Sequence, residues 1–322
     1  MRIWLILLVL VFFVGCVSDA PRDNPLDAKS RLTSLRLEGR VFTYYQPYQP
    51  VAGAKLFLLP LNRLTESDAD GYYGFNGLQA GTYTVICQKN GYASDTAQID
   101  LTTEQTHHFH LDRLPSFEQL TLTTHHQARW FPVEDAYYLD IKATVSDGDG
   151  RADINLVDFQ IPGINYRDTL QAGSEAGSYS RLFSQEELPV GSLEQLVGLE
   201  FVFRATDHPG KTVYSDKHYL TRVIGPVPVV EAPVGLETVA ADSLVFQWQK
   251  MSLNFEFSYK IQLYQINLGL STLIEEIAPI AADQTSYRYP SALPGGDYLW
   301  RVLIVDRYGN TSGSKEGVFR VP

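Results

Sequence analysis

Apolar and polar residues alternate with a period of two in almost every segment after the N-terminal run, and this limits the chain to strands. Successive strand side chains point to opposite faces, so each alternating segment offers one apolar face to a core. Gly, Pro, Asn and Asp lie between the segments, and a helix-like window at 185–197 is broken by Pro189 and Gly191. The pattern predicts an all-β chain of consecutive β-sandwiches. Two clear examples contain Tyr83, Val85 and Cys87, and Leu139, Ile141, Ala143 and Val145.

An internal echo suggests the domain boundaries. Residues 207–211 (DHPGK) return as 306–310 (DRYGN), each time after an apolar strand. The separation is about 100 residues, the length of one immunoglobulin-like sandwich. Residues 226–228 (PVP) are expected to form a stiff joint, because proline fixes its own φ and restricts its neighbour. We therefore predict three sandwich domains over 33–114, 116–224 and 229–322.

The N-terminus predicts an export signal. Residues 3–14 are an unbroken apolar run, shorter than the roughly 20 residues that span a membrane. Gly15 and Cys16 follow it and resemble the lipobox of bacterial lipoproteins, although Phe13 stands where Leu is usual. The resemblance implies a signal peptide over 1–15, lipid attached to Cys16, and a tether over 16–32. The alternative is an ordinary secretory signal with an incidental cysteine.

Lipid on Cys16 would anchor the chain to a membrane. Val17 after the cysteine is compatible with outer-membrane sorting, so the expected location is the cell envelope, on the outer membrane. Lys and Arg total 26 against 37 Asp and Glu, a formal charge of -11. That balance argues against a nucleic-acid partner, which requires a basic face. Two cysteines cannot form a disulfide scaffold, and Cys87 is expected to be a small buried apolar residue.

The first predicted domain resembles the carboxypeptidase regulatory-like domain. The resemblance rests on 37–41 (LEGRV), 50–56 (PVAGAKL), 67–75 (SDADGYYGF), 78–85 (LQAGTYTV) and 91–92 (GY). It implies a seven-stranded prealbumin-like sandwich that is an accessory module without catalysis, related in fold to carbohydrate-binding modules.

The third domain is similar to fibronectin type III domains in 244–248 (LVFQW) and 293–302 (LPGGDYLWRV), although a second glycine replaces the usual threonine. That similarity implies a core role for Trp248 and a corner role for Tyr298. The middle domain has the pattern of a generic immunoglobulin-like sandwich.

Two stretches could bind metal. Asp147, Asp149 and Asp153 are spaced so that their carboxylates can converge on Ca²⁺, which takes six to eight oxygen ligands. The alternative is an Asp/Gly-rich turn without an ion. Histidines surround the first domain junction and could bind zinc or copper if a third ligand approaches, or could lie on a solvated strand face. They are His107, His108, His110, His125 and His126.

Tyr44, Tyr45 and Tyr48 occupy a loop with two glutamines and are the candidate ligand-binding residues. Tyrosine faces can stack on sugar rings and can also anchor protein interfaces. The alternative is that they fold back over a small core.

Motifs for catalysis are absent from the sequence, which has no HExxH, no GxSxG and no phosphate-binding glycine loop. We therefore expect no enzyme, no catalytic residues and no cofactor beyond a structural Ca²⁺. The expected function is a membrane-anchored envelope lipoprotein that acts as a binding or scaffold protein. The alternatives are a lipoprotein that captures polysaccharide for a neighbouring importer or hydrolase, and an enzyme subunit whose partner supplies catalysis.

Overall fold

The structure is a computed structural model that describes residues 34–322. The predicted signal peptide, Cys16 and the tether lie outside the described residues. The chain divides into two compact units, one ending at Arg113 and the other covering Leu114–Pro322. No helix among the described residues has the length and apolar character needed to cross a membrane. The described residues form strands and four short 3₁₀ helices, which confirms the all-β prediction.

The first unit is a sandwich of two four-stranded sheets around one apolar core. One sheet has the order β4-β1-β7, with β8 also paired to β1, and the other has the order β3-β2-β5-β6. Tyr83, Val85 and Cys87 of β5 all point into the core, as their alternation predicts. The strands are β1 (Leu35–Thr43), β2 (Lys55–Leu59), β3 (Arg63–Glu66), β4 (Tyr72–Leu78), β5 (Gly81–Gln88), β6 (Asp95–Leu101), β7 (Gln105–Thr106) and β8 (Phe109–Leu111).

The first unit has eight strands, whereas the resemblance to the carboxypeptidase regulatory-like domain implies seven. The difference arises because the last strand is broken into β7 and β8. β7 and β8 pair with β1 in parallel and in one continuous register, Leu37 opposite Gln105 and Val41 opposite Phe109. Between them, the backbone N–H of Arg40 donates to the ring nitrogen Nδ1 of His108 at 3.1 Å. A side chain thus interrupts what is otherwise a single edge strand.

The second unit contains two sandwiches with separate apolar cores. In the first of them, the sheet β12-β11-β15-β16 packs on the strands β13-β14-β10-β9 around a cluster of phenylalanines. Its strands are β9 (Ser116–Gln127), β10 (Ala136–Ser146), β11 (Ile154–Ile161), β12 (Tyr166–Thr169), β13 (Gln171–Ala172), β14 (Ser178–Ser184), β15 (Glu200–Asp207) and β16 (Thr212–Tyr219). The 3₁₀ helices are Arg151–Asp153, Pro162–Ile164, Gln185–Glu187 and Leu193–Leu196.

The last sandwich has Trp248 and Trp300 in its core, each 1% exposed or less. Tyr298 donates its hydroxyl to the carbonyl of Pro294 at 2.8 Å, the corner bond that the fibronectin-like segment predicts. The strands are β17 (Val230–Ala232), β18 (Glu237–Thr238), β19 (Val245–Trp248), β20 (Phe257–Asn267), β21 (Leu270–Ala281), β22 (Ser286–Arg288), β23 (Gly296–Asp306), β24 (Thr311–Gly313) and β25 (Gly317–Val321).

One sheet runs through both sandwiches of the second unit. β24 pairs with β23 of its own sandwich and, in parallel, with β9 of the preceding one, which gives a ten-stranded sheet. Ser312 reinforces the junction by donating its hydroxyl to the carbonyl of Pro226 at 2.8 Å. These sandwiches are therefore joined by strand pairing in addition to the proline-rich connection that the sequence predicts.

Candidate functional sites

The predicted ligand-binding tyrosines lie on the surface of the first unit, in the connection between β1 and β2. Tyr44, Tyr45 and Tyr48 are 44%, 39% and 46% exposed, so they do not fold back over the core. The rings of Tyr44 and Tyr45 meet edge to face with centroids 5.1 Å apart. Tyr48 packs on the ring of His110 at 4.6 Å. The loop therefore presents aromatic surface that can stack on a ligand.

The histidines of the first unit, His107, His108 and His110, lie in the edge segment that contains β7 and β8. His108 and His110 lie on one face, as predicted, and each packs against Phe42 with ring centroids 5.8 Å apart. His107 is partly buried, and that burial lowers the pKa of its imidazole. In the described residues no third His, Cys or carboxylate ligand comes close enough to complete a metal site with these histidines.

The histidines of the second unit belong to the junction between its two sandwiches. His126 is 3% exposed and stacks on Tyr137 at 4.1 Å with an interplanar angle of 7°. Its Nε2 bonds Asp135 at 2.9 Å and its Nδ1 bonds the carbonyl of Ile224 at 3.1 Å. Both ring nitrogens of His126 are therefore used in packing and are not available to a metal.

The predicted calcium aspartates lie at one end of the first sandwich of the second unit. Asp147 directly follows β10, and Asp153 ends the 3₁₀ helix before β11. The backbone N–H of Asp149 donates to Asp147 Oδ1 at 2.8 Å, which forms the expected Asx turn. A carboxylate oxygen of Asp149 lies within 4.8 Å of one of Asp153. The structure therefore brings Asp149 and Asp153 within ligand distance of each other, while Asp147 shares their turn without joining that group.

Sequence reasoning missed a fourth carboxylate at this position. Asp207, the last residue of β15, is opposite Ile154 of β11, directly after Asp153. The backbone N–H of His208 donates to the carbonyl of Asp153 at 2.8 Å, which holds the two strand ends together. Burial raises the pKa of Asp147 and of Asp207, and repulsion from Asp153 adds to both shifts. The sequence did single out Asp207, but only as part of the repeated turn.

An apolar groove in the second unit was also missed. It has a volume of about 730 Å³ and lies beside the junction of the two sandwiches. Trp130 forms one wall and is held there by its indole N–H, which donates to the carbonyl of Glu316 at 3.0 Å, and by the Lys315 ammonium 4.6 Å from its ring. The other apolar walls come from Val227, Pro228, Val229, Val230, Val234, Leu236 and Val318. Segments from both sandwiches form these walls, so no local sequence pattern could predict the groove.

Cys87 is fully buried in the core of the first unit. Burial raises the pKa of its thiol to about 12. Because the thiolate is the reactive form, this cysteine is inert at neutral pH, in agreement with its predicted role as a small apolar residue.

Residues 36–112 match the family model of the carboxypeptidase regulatory-like domain. This confirms the resemblance drawn from the sequence motifs, and the match covers about a quarter of the chain. A search of curated protein sequences found no significant match.

Solved structures similar to the chain are modular β proteins. A cohesin–X-dockerin complex of Acetivibrio cellulolyticus is 21% identical with a TM-score of 0.21 and matches 23% of this chain and 52% of its own. The chain thus spans about half the length of that structure. The FN1–FN3 domains of chicken CNTN1 are 10% identical, with a TM-score of 0.31 and coverages of 83% and 90%. The fibronectin(III)-like modules of Clostridium thermocellum CbhA are 12% identical, with a TM-score of 0.29 and coverages of 65% and 93%. At these scores no ligand or residue role transfers to the chain.

Proposed function

We propose that the chain is a non-catalytic scaffold of the cell envelope that binds a partner protein in the apolar groove of its second unit. The groove carries the proposal, because water-exposed apolar surface of this extent is costly unless something covers it. Its lining is mostly apolar, with five valines, and Lys315 and Glu316 are the charged residues of the lining. A sugar needs several hydrogen-bonding groups around its hydroxyls, whereas this lining suits the apolar side chains of a protein segment.

Exposed apolar residues near Trp130 in the chain, and one in the groove itself, support a protein partner. Phe131 is 90% exposed and Val133 is 74% exposed, next to Trp130 in the chain. Leu236 in the groove is 57% exposed and has φ 62°. A leucine in this left-handed conformation costs about 1 kcal/mol, so an exposed one is a burden on the free protein that a bound partner can offset.

The membrane anchor is the second part of the proposal. Lipid on Cys16 would hold the chain on the envelope membrane, on the outer membrane if Val17 directs sorting there, with the tether 16–32 as spacer. Cys16→Ser should release the chain into the soluble fraction on cell fractionation. Continued membrane association of that variant would contradict the anchor.

Site-specific cross-linking tests the groove. A photoreactive amino acid is placed at Val234 or Leu236 in the full chain within its native cells. The control position is Leu270, which is 74% exposed on the β20–β21 hairpin and does not line the groove. We expect one partner protein to cross-link from the groove positions, to be absent at Leu270, and to be lost when Val229→Asp is added. A product with a second copy of the chain, or no product, would contradict the proposal.

A second candidate function is polysaccharide capture by the first unit, which the exposed tyrosines of the β1–β2 connection favour. The test is retention of the purified full chain on immobilised polysaccharides. Tyr44→Ala, Tyr45→Ala and Tyr48→Ala together should abolish retention, while Tyr214→Ala and Tyr219→Ala, at exposed tyrosines of the second unit, should not. Absence of retention on every glycan would remove this candidate and leave the groove as the binding site.

A further inference from the structure

A buried histidine lies where the two sandwiches of the second unit meet. His126 is on β9, and Ser312 of β24 is its partner in the pairing that joins the sandwiches. The ring nitrogen Nε2 is 2.9 Å from Asp135 Oδ2, and Nδ1 is 3.1 Å from the carbonyl oxygen of Ile224. Nδ1 is also 3.2 Å from Ser312 Oγ. The ring therefore contacts polar atoms of both sandwiches and of the segment that connects them.

Each of these polar neighbours can accept a hydrogen bond from the ring, and none has a hydrogen to give it. A carbonyl oxygen such as that of Ile224 only accepts, and so does the ionised carboxylate of Asp135. Ser312 has one hydroxyl hydrogen, which it donates to the carbonyl of Pro226 at 2.8 Å. Both ring nitrogens of His126 must therefore carry hydrogen to complete these bonds, which is the imidazolium form.

Asp135 keeps its negative charge beside the ring. A carboxyl is ordinarily a stronger acid than an imidazolium by about two pH units, and the Asp135 side chain is 34% exposed to water. Tyr137 of β10 stacks on the other side of this contact, 4.1 Å from the His126 ring. Burial raises the pKa of the Tyr137 hydroxyl, and the charges of Asp135 and Glu194 add to that shift, so Tyr137 stays neutral. The charge that faces His126 is therefore that of a carboxylate.

The three segments that meet at His126 continue into the apolar groove. They are the end of β9, the connection after β16 and the residues after β24. The N–H of Ala128, in the first segment, donates to the carbonyl of Gly313, in the third, at 3.0 Å. The groove residues that these segments supply are Ala128, Trp130, 227–230, Lys315 and Glu316. A change at the ring would therefore reach several walls of the groove through a few residues.

We propose that His126, protonated on both ring nitrogens, is a positioning residue that holds the walls of the groove together. When the ring loses a proton, one nitrogen turns a lone pair towards an acceptor oxygen at a position that is 3% exposed, and that bond is lost. Histidine is the side chain that ordinarily changes charge between about pH 5 and pH 8. The groove would then be fully formed at the acidic end of this range and looser at the alkaline end. Regulation of partner binding by pH follows from this, and that consequence rests on the proposed function of the groove.

Nitrogen NMR of the purified full chain, with ¹⁵N in its imidazole rings, tests the protonation of His126 directly. Protonated and unprotonated ring nitrogens differ in chemical shift, and the signals of this ring are identified by their loss in His126→Gln. We expect both nitrogens to be protonated at about pH 5 and one to be unprotonated at about pH 8. Asp135→Asn, at a partly exposed side chain, should move this transition to lower pH, because it removes the charge that stabilises the imidazolium.

Fluorine NMR of the chain labelled with 5-fluorotryptophan tests the effect on the groove. Trp130 forms one wall, and its signal is identified by its loss in Trp130→Phe. We expect this signal to shift with pH in step with the His126 ring, and to move to lower pH with it in Asp135→Asn. The shift should disappear in His126→Gln and persist in His208→Gln, the matched control at an exposed histidine of the same unit. Neither NMR measurement needs the partner, so this inference and the cross-linking test of the groove can fail separately.

Three results would overturn the proposal. One is a His126 ring that carries a single hydrogen at every pH from about 5 to about 8. Another is a ring that keeps both hydrogens throughout that range, which would remove the dependence on pH. The third is a Trp130 signal that stays fixed while the ring titrates, or that shifts equally in His126→Gln, which would show that the ring does not position the groove.

Discussion

Asn310 accepts the backbone N–H of Thr124 on its side-chain Oδ1 at 2.9 Å, although 186 residues separate the two in the chain. The same side chain donates through Nδ2 to Asp306 at 3.0 Å and to the hydroxyl of Thr221 at 3.1 Å. Asn310 is fully buried. One amide therefore links β9, the segment that follows β16 and the last sandwich, at the point where the shared sheet passes from one sandwich to the other.

Replacing this amide should weaken the junction. Asn310→Ala leaves the N–H of Thr124 and an oxygen of Asp306 without their partner, and each such buried loss costs about 1–3 kcal/mol. We expect a loss of about 3 kcal/mol in the free energy of unfolding of the second unit. Denaturant unfolding followed by tryptophan fluorescence measures it, because every described tryptophan lies in that unit. Asn267→Ala, at an exposed strand end, is the control and should change stability by less than about 0.5 kcal/mol.

The carboxyls of Asp147 and Asp207 should make the free energy of unfolding depend on pH in a defined direction. The folded-state pKa of Asp147 and Asp207 is raised, mainly by burial, so the folded protein holds protons that the unfolded chain releases. The proton-linked stability is full below the unfolded pKa and is lost as the pH rises through the folded pKa. Asp207→Asn should lose less stability than the unaltered chain as the pH rises, because the asparagine side chain cannot ionise. The comparison is made in the presence of a chelator, so that no metal ion contributes.

The measurement is the melting temperature of the unaltered chain and of Asp207→Asn in chelator, from about pH 4 to about pH 8. We expect the melting temperature of Asp207→Asn to increase relative to that of the unaltered chain as the pH rises. Carboxyls with a lowered pKa, such as Asp297 beside Arg320 and Glu276 beside Gln262, change stability with pH in the opposite direction. Their contribution is the same in both proteins and cancels in the difference between the two melting temperatures. A difference that stays constant or shrinks with pH would contradict the raised pKa of Asp207.

Much of the fold was predictable because its signals are local. Alternation identified strands such as β5 and β10, and spaced turn motifs identified the first domain. The shared sheet was not predictable, because three residues of β24 pair with β9 far away in sequence and a three-residue strand has no periodicity of its own. Asp147, Asp149 and Asp153, the predicted calcium ligands, could be named from the sequence for the same local reason. Asp207 could not, because only the pairing of β11 with β15 brings it to Asp153.

The stability that the Tyr298–Pro294 hydrogen bond contributes to the last sandwich should be measurable by removing the Tyr298 hydroxyl. Tyr298 is 1% exposed and its hydroxyl donates to the Pro294 carbonyl. Tyr298→Phe keeps the ring packed and loses this hydrogen bond, so we expect a loss of about 1 kcal/mol in unfolding free energy. Tyr308→Phe, at a tyrosine 44% exposed, should be nearly neutral in the same tryptophan-monitored unfolding. Equal effects of the two changes would show that the corner bond contributes no stability.

The interrupted edge of the first unit depends on a glycine. A Cβ on Gly39 of β1 would lie 1.7 Å from the carbonyl oxygen of His107, a backbone atom that cannot swing away. Gly39→Ala must therefore push the β7–β8 segment off β1, with an expected cost of about 3 kcal/mol. Gly81, which opens β5, has no atom within 4 Å of such a Cβ, so Gly81→Ala is the matched control. Hydrogen exchange on the purified chain should show β1 and β8 losing protection in Gly39→Ala and keeping it in Gly81→Ala. Full protection of β1 in Gly39→Ala would mean that the close approach of β1 to His107 is not required for this sandwich.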